Sequence, residues 1–482
     1  MSKTIQKFLV EHAKKRSASF HMPGHKGSAI YRELGYGEFL DQIMDCDITE
    51  IPGADNLFQA EGMIKDLQER YAQLYEVKES FLLINGTSGG LIAAILATVG
   101  KGRKLVMARN CHKSVFNALT LGDIKPVYAY PQLMADYEIS GAIMAEQIDQ
   151  LLCDHQDADA VILPSPNYYG ICSDIEAIAK VVHKHNKVLI VDQAHGAHLK
   201  IFRKYGIDVL PKSAEESGAD IVVNSIHKTL ASFTQSAILN LNSDRVAPDL
   251  IADKLQCLQS TSPSYLLMAS LDINASIIEK NGKELMERWL ENIYYFYHES
   301  AKNPYIHCFA QANNLDFTKI NFFLTQVPIS GKEIEEELNR LHGVFIELYT
   351  GDYLMCMTGI GNVRQHYTQL LHGLDEIIQR ALKNNVFPEN NTKEVIPKTK
   401  VPLLSPKVSL FPIPQKTMWI KLEHAAGLIC AGSLIPYPPG IPIVCPGEKL
   451  DAEMLTYLKT LRNQGEKVIG INSSGEILVG MC

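Results

Sequence analysis

The sequence predicts an α/β protein with a mostly parallel central sheet. From about residue 80, short apolar runs alternate with helix-length amphipathic stretches, which is typical of buried strands joined by helical crossovers. The predicted strands are SFLLI at 80–84, KLVMA at 104–108, KPVYAY at 125–130, AVILP at 160–164, KVLIVD at 187–192, DIVVN at 220–224 and SAILNL at 236–241. In such sheets ligands bind beyond the carboxyl ends of the strands. The residues that follow each run are therefore the candidates for a functional site.

The sequence that follows these strands predicts two further structural units, a small α/β unit and a C-terminal domain. Residues 265–301 indicate a helix, and residues 303–383 indicate a small α/β unit with strands near 317–325 and 344–348 and a helix near 366–383. Residues 384–407 are polar and contain prolines, as linkers do. The predicted domains are 1–302, 303–383 and, after the linker 384–407, a C-terminal α+β domain at 408–482.

Composition limits the classes of function. The chain has 482 residues, a net charge of −8 and 46% apolar residues, so it has ample core and no basic face for nucleic acid. No apolar run reaches the ~18 residues of a membrane span, and the first residues lack the apolar centre of a signal peptide. The ten cysteines are scattered and form no CxxC pair. We therefore expect a cytoplasmic protein with reduced thiols and with neither nucleic acid nor membrane as a partner.

Two of the strand ends offer groups that suit a phosphorylated, planar ligand. The run at 80–84 leads into NGTSGG at 85–90, where glycines, a helix N-terminus and the hydroxyls of Thr87 and Ser88 would cradle a phosphate. The alternative is a plain Gly-rich turn with a Ser or Thr cap. The run at 104–108 is followed by His112, whose flat ring could stack on a cofactor ring. A histidine at the surface is the alternative.

Asp192 ends the next candidate run. A carboxylate at the end of a buried strand costs desolvation energy unless it meets a cation or hydrogen-bond donors. A pyridinium N–H is such a partner, and the carboxylate in turn keeps the ring nitrogen protonated. Asp192, His195 and His198 are also metal-ligand types at short spacing, so a metal site is a second interpretation. A capped strand end with solvated histidines is a third.

Lys228 follows the run at 220–224. A lysine beside a buried strand can have its pKa lowered and act as an amine nucleophile, and Ser225 and His227 stand close enough in sequence to bind a phosphate beside it. The usual alternative is a lysine on a surface loop. Taken together, the strand ends supply an anchor, a ring cover, a nitrogen partner and a covalent tether, which are the needs of pyridoxal 5′-phosphate (PLP). A metal hydrolase would explain Asp192 and the histidines but not Lys228.

The segment SIHK at 225–228, continuing to Gln235, resembles the PLP-lysine signature of the Orn/Lys/Arg decarboxylase family, which has the PLP-dependent fold type I. Asp192 with Ala194 and His195 resembles the same family. So do the segments FHMPGHK at 20–26, NGTS at 85–88, HKS at 112–114, TSPSY at 261–265 and PYPPG at 436–440. The similarity runs from about residue 20 to about residue 448. Gln193 departs from it, since the family often has Glu there, and ADNLF at 54–58 departs as well.

The resemblance implies PLP as the cofactor and no metal. It implies that Lys228 is the Schiff-base lysine, that Asp192 holds the ring nitrogen, and that His195 lies near the ring and shares the catalytic work. His112 would stack on the ring. The remaining implied cofactor contacts are Thr87, Ser88, Ser225, His227 and Thr261.

The resemblance also implies the reaction and the assembly. We expect decarboxylation of a basic L-amino acid, first arginine to agmatine and CO2 in polyamine biosynthesis, because short members without a receiver-like domain resemble biosynthetic arginine decarboxylases. Lysine and ornithine are the alternative substrates. His25, Glu347 and Tyr437 are implied substrate contacts, with Asp55 a further carboxylate for the substrate's cationic end. A homodimer with shared active sites is implied, to which the segments 21–26 and 261–265 would contribute across the interface.

Three alternatives stay open at this level: another PLP enzyme of fold type I, such as an aminotransferase or a Cβ–Sγ lyase; a PLP-binding regulator; and a metal hydrolase that uses Asp192, His195 and His198. An aminotransferase would use an arginine in the small domain for the substrate carboxylate, and Arg364 is suitably placed in the sequence. A catalytically silent PLP-binding regulator would bind the cofactor without turnover.

Overall fold

The computed structural model describes residues 4–15, 17–134, 139–309, 312–384, 410–436, 440–463 and 467–481. Its largest element is a seven-stranded sheet. The strands are Glu79–Leu83 (β1), Lys104–Ala108 (β2), Lys125–Ala129 (β3), Ala158–Pro164 (β4), Val188–Asp192 (β5), Ile221–Asn224 (β6) and Ala237–Leu241 (β7). Each predicted strand is present, with ends within two residues of the prediction.

The sheet is mostly parallel, as predicted. Its order is β1-β7-β6-β5-β4-β2-β3. The five strands from β6 to β3 pair in parallel. Only β7 runs antiparallel to its two neighbours β1 and β6. The central strands are buried throughout, which explains why they appear in the sequence as continuous apolar runs rather than as alternating ones.

The helices connect and cover these strands. In chain order they are Ile5–Lys14, Ala29–Glu33, Gly37–Asp41, Met63–Tyr75, Gly86–Thr98, Lys113–Gly122, Ala145–Asp154, Ile175–Lys184, Ala197–Lys204, Ile226–Thr229, Pro248–Leu258, Tyr265–Ser300, Gly331–His342, Arg364–Asn384 and Ala452–Asn463. The long helix predicted at 265–301 is confirmed. Among the described helices, none is long and apolar enough to cross a membrane.

Two hydrophobic cores lie on the large sheet. One contains Val161, Ile190 and Val222 of the central strands with the helices packed on them. The other contains Trp289 of the long helix and continues without a break into Ile320 of the small unit. This second core contains residues from both sides of the predicted domain boundary at 302/303. The two units therefore do not have separate cores, and the boundary stays a prediction.

The small unit has a four-stranded antiparallel sheet. Its strands are Ile306–Cys308 (β8), Lys319–Leu324 (β9), Leu348–Thr350 (β10) and Tyr353–Met357 (β11), in the order β8-β9-β11-β10. The strand near 317–325 and the helix near 366–383 are confirmed. The prediction at 344–348 was wrong in its bounds, since Val344–Phe345 pairs in parallel with Ala18–Ser19 outside this sheet. The N-terminal segment thereby joins the small unit.

The C-terminal region has its own core around Leu458 and Ile477. Thr417–Lys421 pairs with Glu476–Gly480, and the helix Ala452–Asn463 completes an α+β arrangement. The predicted linker 384–407 lies outside the described residues apart from its first residue. The boundaries of this domain stay predictions.

Arg109, which follows β2, connects the large sheet to the C-terminal region by hydrogen bonds. Its buried guanidinium donates to the carbonyls of Pro442 at 2.7 Å and Ile443 at 2.6 Å and to Glu448 Oε2 at 3.1 Å. Glu448 also accepts a hydrogen bond from the Tyr128 hydroxyl at 3.0 Å. This clamp begins only three residues before His112, so the C-terminal region is held near the carboxyl edge of the sheet.

Candidate active site

The carboxyl ends of β5 and β6 bring the first candidate residues together. β5 ends at Asp192 and β6 at Asn224, and each strand is followed by a tight turn and a short helix. After β5, the backbone N–H of Ala194 donates to Asp192 Oδ1 at 3.1 Å and turns the chain toward His195. After β6, Ser225 precedes the four-residue helix that carries Lys228. Adjacent parallel strands thus place the two turns side by side.

Lys228 and His195 meet at this edge. The distance from Lys228 Nζ to His195 Nε2 is 2.8 Å. Burial lowers the pKa of Lys228, and the attraction of Asp192 and Glu347 opposes this effect without reversing it. Burial, with the positive charges of Lys228 and Lys319, holds the pKa of His195 well below its ordinary value. Both pKa shifts are in the direction that favours the uncharged form, and the uncharged form of the Lys228 amine is the nucleophilic one.

Asp192 has a buried carboxylate whose partners among the described atoms are few. It is 6% exposed, and burial raises its pKa although the charge of Lys228 opposes the rise. The Ala194 N–H is the hydrogen bond that the described residues supply to it. A buried carboxylate with this little compensation is poised to receive a cationic N–H donor from a ligand.

A phosphate-sized group has donors available on the neighbouring turns. The helix Gly86–Thr98 begins at Gly86, whose φ of +68° lies in the left-handed region that glycine adopts without strain. Thr87 and Ser88 are partly exposed in its first turn. On the Lys228 side, Ser225 Oγ lies 3.1 Å from His227 Nδ1. Helix N-terminal N–H groups and hydroxyls are the donors that bind phosphate.

His112 is fixed in orientation at the start of the helix Lys113–Gly122. Its Nδ1 lies 2.9 Å from Ser114 Oγ, and it caps the helix by accepting from the Ser114 backbone N–H. Burial lowers the pKa of His112 to about 3, and Lys228 and Lys113 add to the effect. The result is a neutral ring held rigidly, which suits stacking on another ring.

The N-terminal segment packs against the Lys228 loop of its own chain. The Gly24 N–H donates to the His227 carbonyl at 2.7 Å, and the Gly24 carbonyl accepts from Gly361 N–H at 3.0 Å. A Cβ on Gly24 would lie 2.4 Å from the Leu230 carbonyl oxygen, so only glycine fits. This close contact lies within one chain, and the contribution of residues 21–26 across a subunit interface stays a prediction. His25 follows in the same loop, partly buried.

Glu347 is linked to His195 through Tyr168, a residue that the sequence analysis missed. The Tyr168 hydroxyl donates to Glu347 Oε1 at 2.7 Å, and the Tyr168 ring lies 4.9 Å from the His195 ring, centroid to centroid. The backbone N–H of Met22 donates to Glu347 Oε2 at 3.3 Å, with His21 Nδ1 3.4 Å away. Glu347 is 6% exposed. Its carboxylate therefore belongs to the Lys228 site, and the sequence signal was Tyr168 shortly after the end of β4.

Two residues considered for substrate binding have other partners. Asp55 accepts hydrogen bonds from four backbone N–H groups, those of Asn56, Glu61, Gly62 and Ile64, and so caps the start of the helix Met63–Tyr75. The Arg364 guanidinium donates to Asn292 at 2.7 Å and lies over the Tyr295 ring at 4.2 Å. Asp55 and Arg364 are thus structural, which weakens the aminotransferase alternative.

The metal interpretation of Asp192, His195 and His198 does not hold. His198 is fully buried, and its Nδ1 lies 3.2 Å from Thr229 Oγ1 while its Nε2 lies 3.1 Å from an Asp316 carboxylate oxygen. Both ring nitrogens are therefore occupied by protein groups. The triad is not among the potential metal-ligand clusters of the described residues.

Behind the site lies a buried ion pair that the sequence analysis also missed. Lys319 Nζ donates to Asp316 Oδ2 at 2.8 Å and to the carbonyl oxygen of His195 at 2.7 Å. Lys319 opens β9 in the run TKINFFL, where a lysine inside an otherwise apolar strand was the available signal. The pair fixes the backbone of His195 from the side of the small unit.

Two candidates are not brought to Lys228 by the described contacts. Thr261 is exposed on a bend that follows the helix Pro248–Leu258. Tyr437 lies outside the described residues.

Comparison with known proteins decides the family. Residues 4–335 match the Orn/Lys/Arg decarboxylase major domain, and residues 391–475 match the C-terminal domain of that family. The chain belongs to the Orn/Lys/Arg decarboxylase family. Members of this family are PLP-dependent decarboxylases, so the expected fold type, enzyme class and cofactor are confirmed.

Individual relatives agree with this assignment. The chain is 33% identical to the uncharacterized protein YaaO of Bacillus subtilis, over 98% of this chain and 96% of that protein. It is 31% identical to an arginine decarboxylase of Bacillus anthracis, over 96% of this chain and 93% of that protein. The solved lysine decarboxylase LdcF of Francisella novicida superposes with a TM-score of 0.75 at 19% identity, over 98% of this chain and 80% of LdcF. This last likeness shows a shared fold.

The residues present fit PLP. His195 Nδ1 is buried and has no hydrogen-bond partner among the described atoms, and the Asp192 carboxylate is nearly as poorly compensated. Buried polar atoms without partners are rare in folded proteins and mark places where a ligand supplies the missing bond. Lys228 lies close enough to both groups for an ammonium there to lower the pKa of the Asp192 carboxyl and of the His195 ring.

Proposed function

We propose that this chain decarboxylates a basic L-amino acid, with arginine as the preferred substrate and agmatine and CO2 as the products. The observation that carries the proposal is the pairing of Lys228 Nζ with His195 Nε2 at 2.8 Å, at a sheet edge where Asp192 is also buried. In this proposal Lys228 carries the PLP aldehyde covalently and Asp192 receives the ring N–H. The remaining cofactor contacts are His112 on the ring face and Thr87, Ser88, Ser225 and His227 at the phosphate.

In the proposed reaction, Lys228 and His195 handle the proton, and Asp316 and Lys319 position His195. When bound, PLP supplies the electron sink that accepts the electron pair left by the departing CO2. The chain then has to deliver one proton to the substrate Cα. Lys228 Nζ and His195 Nε2 share a hydrogen bond, so either group, when it carries an extra proton, would supply that proton to Cα, and solvent would then replace it because the reaction consumes one proton in net. The buried ion pair of Asp316 and Lys319 holds His195 in the required orientation.

Glu347 is the proposed partner of the cationic end of the substrate. A guanidinium matches a carboxylate with two parallel hydrogen bonds, which makes arginine the best fit. The preference for arginine also draws on the arginine decarboxylase of Bacillus anthracis, which is more similar in sequence than the lysine decarboxylase LdcF. His25 and Tyr437 are further proposed substrate contacts.

Turnover on three amino acids tests the proposal. Purified enzyme with added PLP is given arginine, lysine or ornithine, and the amine product is identified alongside CO2. We expect kcat/KM for arginine to exceed the others at least about tenfold, which is 1.4 kcal/mol. Fastest turnover of lysine or ornithine would correct the substrate, whereas keto-acid formation without CO2 would refute decarboxylation.

Glu347→Gln tests the assignment of the substrate's cationic end. It should lower kcat/KM for arginine roughly 30-fold or more, because a buried charge pair loses one partner. Tyr168→Phe, which removes only one hydrogen bond to Glu347, is the matched control and should have a smaller effect. Equal effects of the two variants would count against a direct contact of Glu347 with the substrate.

Borohydride reduction tests the site of attachment. Reduction should fix the cofactor irreversibly on the lysine that carries it, and peptide mapping should then locate it at Lys228. A label on another lysine would refute the assignment of the whole site.

We also propose a homodimer that shares its active sites, in the cytoplasm. The helix Ile5–Lys14 exposes Ile5, Phe8 and Leu9, with Ile5 80% exposed, and such an apolar face favours a protein partner. Thr261 would complete the cofactor site of the second subunit. Sedimentation should give twice the chain mass of 53.7 kDa, and a monomer with full activity would contradict a shared site.

A further inference from the structure

A cluster of metal-ligand types lies in the small unit and takes no part in the proposed reaction. It consists of His342 at the end of the helix Gly331–His342, and His372 and Glu376 on the helix Arg364–Asn384. Glu376 lies 3.8 Å from His342 Nε2 through Oε2 and 3.5 Å from His372 Nε2 through Oε1. His372 and Glu376 are four residues apart, so one helix presents both on the same face.

His342 gives an independent reason to expect a ligand here. Its side chain is 9% exposed, and its buried Nε2 has no hydrogen-bond partner among the described atoms. Gly373 leaves room for the His342 ring, since a Cβ there would lie 3.0 Å from His342 Cγ. A buried imidazole nitrogen that faces a second imidazole and a carboxylate is more readily explained by a metal than by a missing protein donor.

We propose that His342, His372 and Glu376 bind a zinc ion. Two imidazoles and one carboxylate are a donor set that zinc prefers, and a tetrahedral ion with bonds of ~2.0–2.1 Å holds its donors about 3.3 Å apart. One donor atom from each of the three residues already lies within 4.8 Å of the other two, so rotation of the exposed side chains of His372 and Glu376 would bring the set to that spacing. His372 and Glu376 are 68% and 50% exposed, which leaves the fourth position to water.

The charges around the cluster are compatible with a cation. Besides Glu376 and His372, the residues whose charges act on His342 include Arg380 and Glu337. These two form an ion pair at 2.8 Å, which neutralises the arginine. The ion would therefore meet one uncompensated carboxylate, that of Glu376, and would join the two helices of the small unit.

A second cluster serves as an internal comparison. Asp149, Cys153 and His185 also lie close together. There His185 Nε2 is already hydrogen-bonded to Asp149 at 2.6 Å, and the Lys184 ammonium lies 3.6 Å from the same carboxylate. A nitrogen with a partner and a nearby cation both disfavour metal binding, so we assign no metal to this cluster.

Zinc titration of the full-length, PLP-loaded enzyme tests the proposal. Zinc is added in competition with a chromophoric chelator, and bound metal is counted per chain. We expect one equivalent per chain in the wild type and in Cys153→Ser and His298→Gln, an exposed histidine beside Glu299. His372→Gln should weaken binding at least about tenfold by removing a ligand from an exposed position where folding is not at risk. His342→Gln should do the same.

The outcomes separate this site from others. X-ray absorption at the zinc edge should show nitrogen and oxygen donors without sulfur. No binding by the wild type at micromolar zinc, unchanged affinity in His372→Gln, or loss of binding in Cys153→Ser would each overturn the proposal. Arginine turnover is not expected to depend on the variant, so failure here leaves the proposed decarboxylation untouched.

Discussion

His195 lies in the turn after β5, His198 lies three residues later in the helix Ala197–Lys204, and the two side chains serve opposite purposes. His198 is saturated: its Nδ1 faces Thr229 Oγ1 at 3.2 Å, and its Nε2 faces Asp316 at 3.1 Å. His195 has Lys228 Nζ at 2.8 Å from one nitrogen, while the other is buried without a partner among the described atoms. Saturation of buried polar groups stabilises a fold, whereas an unsatisfied one marks a position kept for a ligand.

Asp316, near His198, and Asp192, near His195, show the same contrast between a carboxylate with partners and one with few. Burial acts to raise the pKa of Asp316, but Lys319 and His198 outweigh it and hold that pKa well below its usual range. Burial raises the pKa of Asp192, and Lys228 does not outweigh it. The Asp316 region is therefore a completed ion pair, and the Asp192 region is an incomplete one. Substitutions should accordingly affect stability in the first region and turnover in the second.

Lys228→Ala should produce the largest effect on turnover. Without the amine, CO2 release should fall on the order of 10³-fold or more, because the covalent tether is lost. The free energy of unfolding should not fall, because the substitution removes a buried amine whose desolvation costs energy in the folded chain. Activity is measured by CO2 release and folding by thermal melting of the cofactor-free chain. Lys228→Arg, which keeps a cation but not the nucleophile, should be equally inactive, and substantial turnover in either variant would break the comparison.

Lys319→Met should produce the largest effect on stability. It leaves the buried Asp316 carboxylate without its cation, which costs about 3–5 kcal/mol of unfolding free energy. Lys319 and Asp316 are 1% and 0% exposed, so solvent screening is small. Urea unfolding of the cofactor-free chain measures the loss. Lys180→Met, which breaks an exposed pair with Glu176 at 2.9 Å, is the control and should leave the unfolding free energy nearly unchanged, because solvent screens that pair. Equal losses of unfolding free energy in the two variants would show that the buried Lys319–Asp316 pair stabilises the chain no more than an exposed pair does.

The sequence predicted the group of Asp192, His195 and Lys228 better than the hydrogen-bonded group of His198, Asp316 and Lys319. Asp192, His195 and Lys228 directly follow apolar runs, so the topology alone places them at one edge. The Nε2 partners of His198, Asp316 and Thr318, lie just before β9 and more than a hundred residues away, and no local pattern reports such a contact.

The same limit applies to the fold. The buried strands of the large sheet were predicted because continuous apolar runs specify them, but the antiparallel pairing of β7 depends on its neighbours β1 and β6. The helix Gly331–His342 was missed although Ser330 and Glu333 form a capping box, a signal that was present in the sequence.

Gln193→Glu should destabilise the chain roughly 2–3 kcal/mol by placing a carboxylate against Glu215. Gln193 is saturated like His198: its amide donates to Glu215 at 2.8 Å and to Asn224 at 2.9 Å and accepts from the Ala214 N–H at 2.7 Å. Although the family often has Glu at this position, the present partners require an amide. Urea unfolding at pH 8 measures the loss, which should shrink at lower pH as the new carboxyl group takes up a proton. A variant as stable as the wild type would show that the network tolerates a second charge.

The smallest predicted effect is the pH dependence of the cofactor-free chain. Burial lowers the pKa of His227 from 6.5 to about 4, against the opposing hydrogen bond to the Ser236 carbonyl. The unfolded chain then binds a proton that the folded chain does not, so stability is fully present above pH 6.5 and falls as the pH drops toward 4. The loss from this residue at pH 5 is about 2 kcal/mol. Denaturation at pH 7.5 and 5.0 should show that His227→Asn reduces the pH dependence by this amount. If His227→Asn had no effect, His227 would be satisfied in its charged form, and it would belong with His198 rather than with His195.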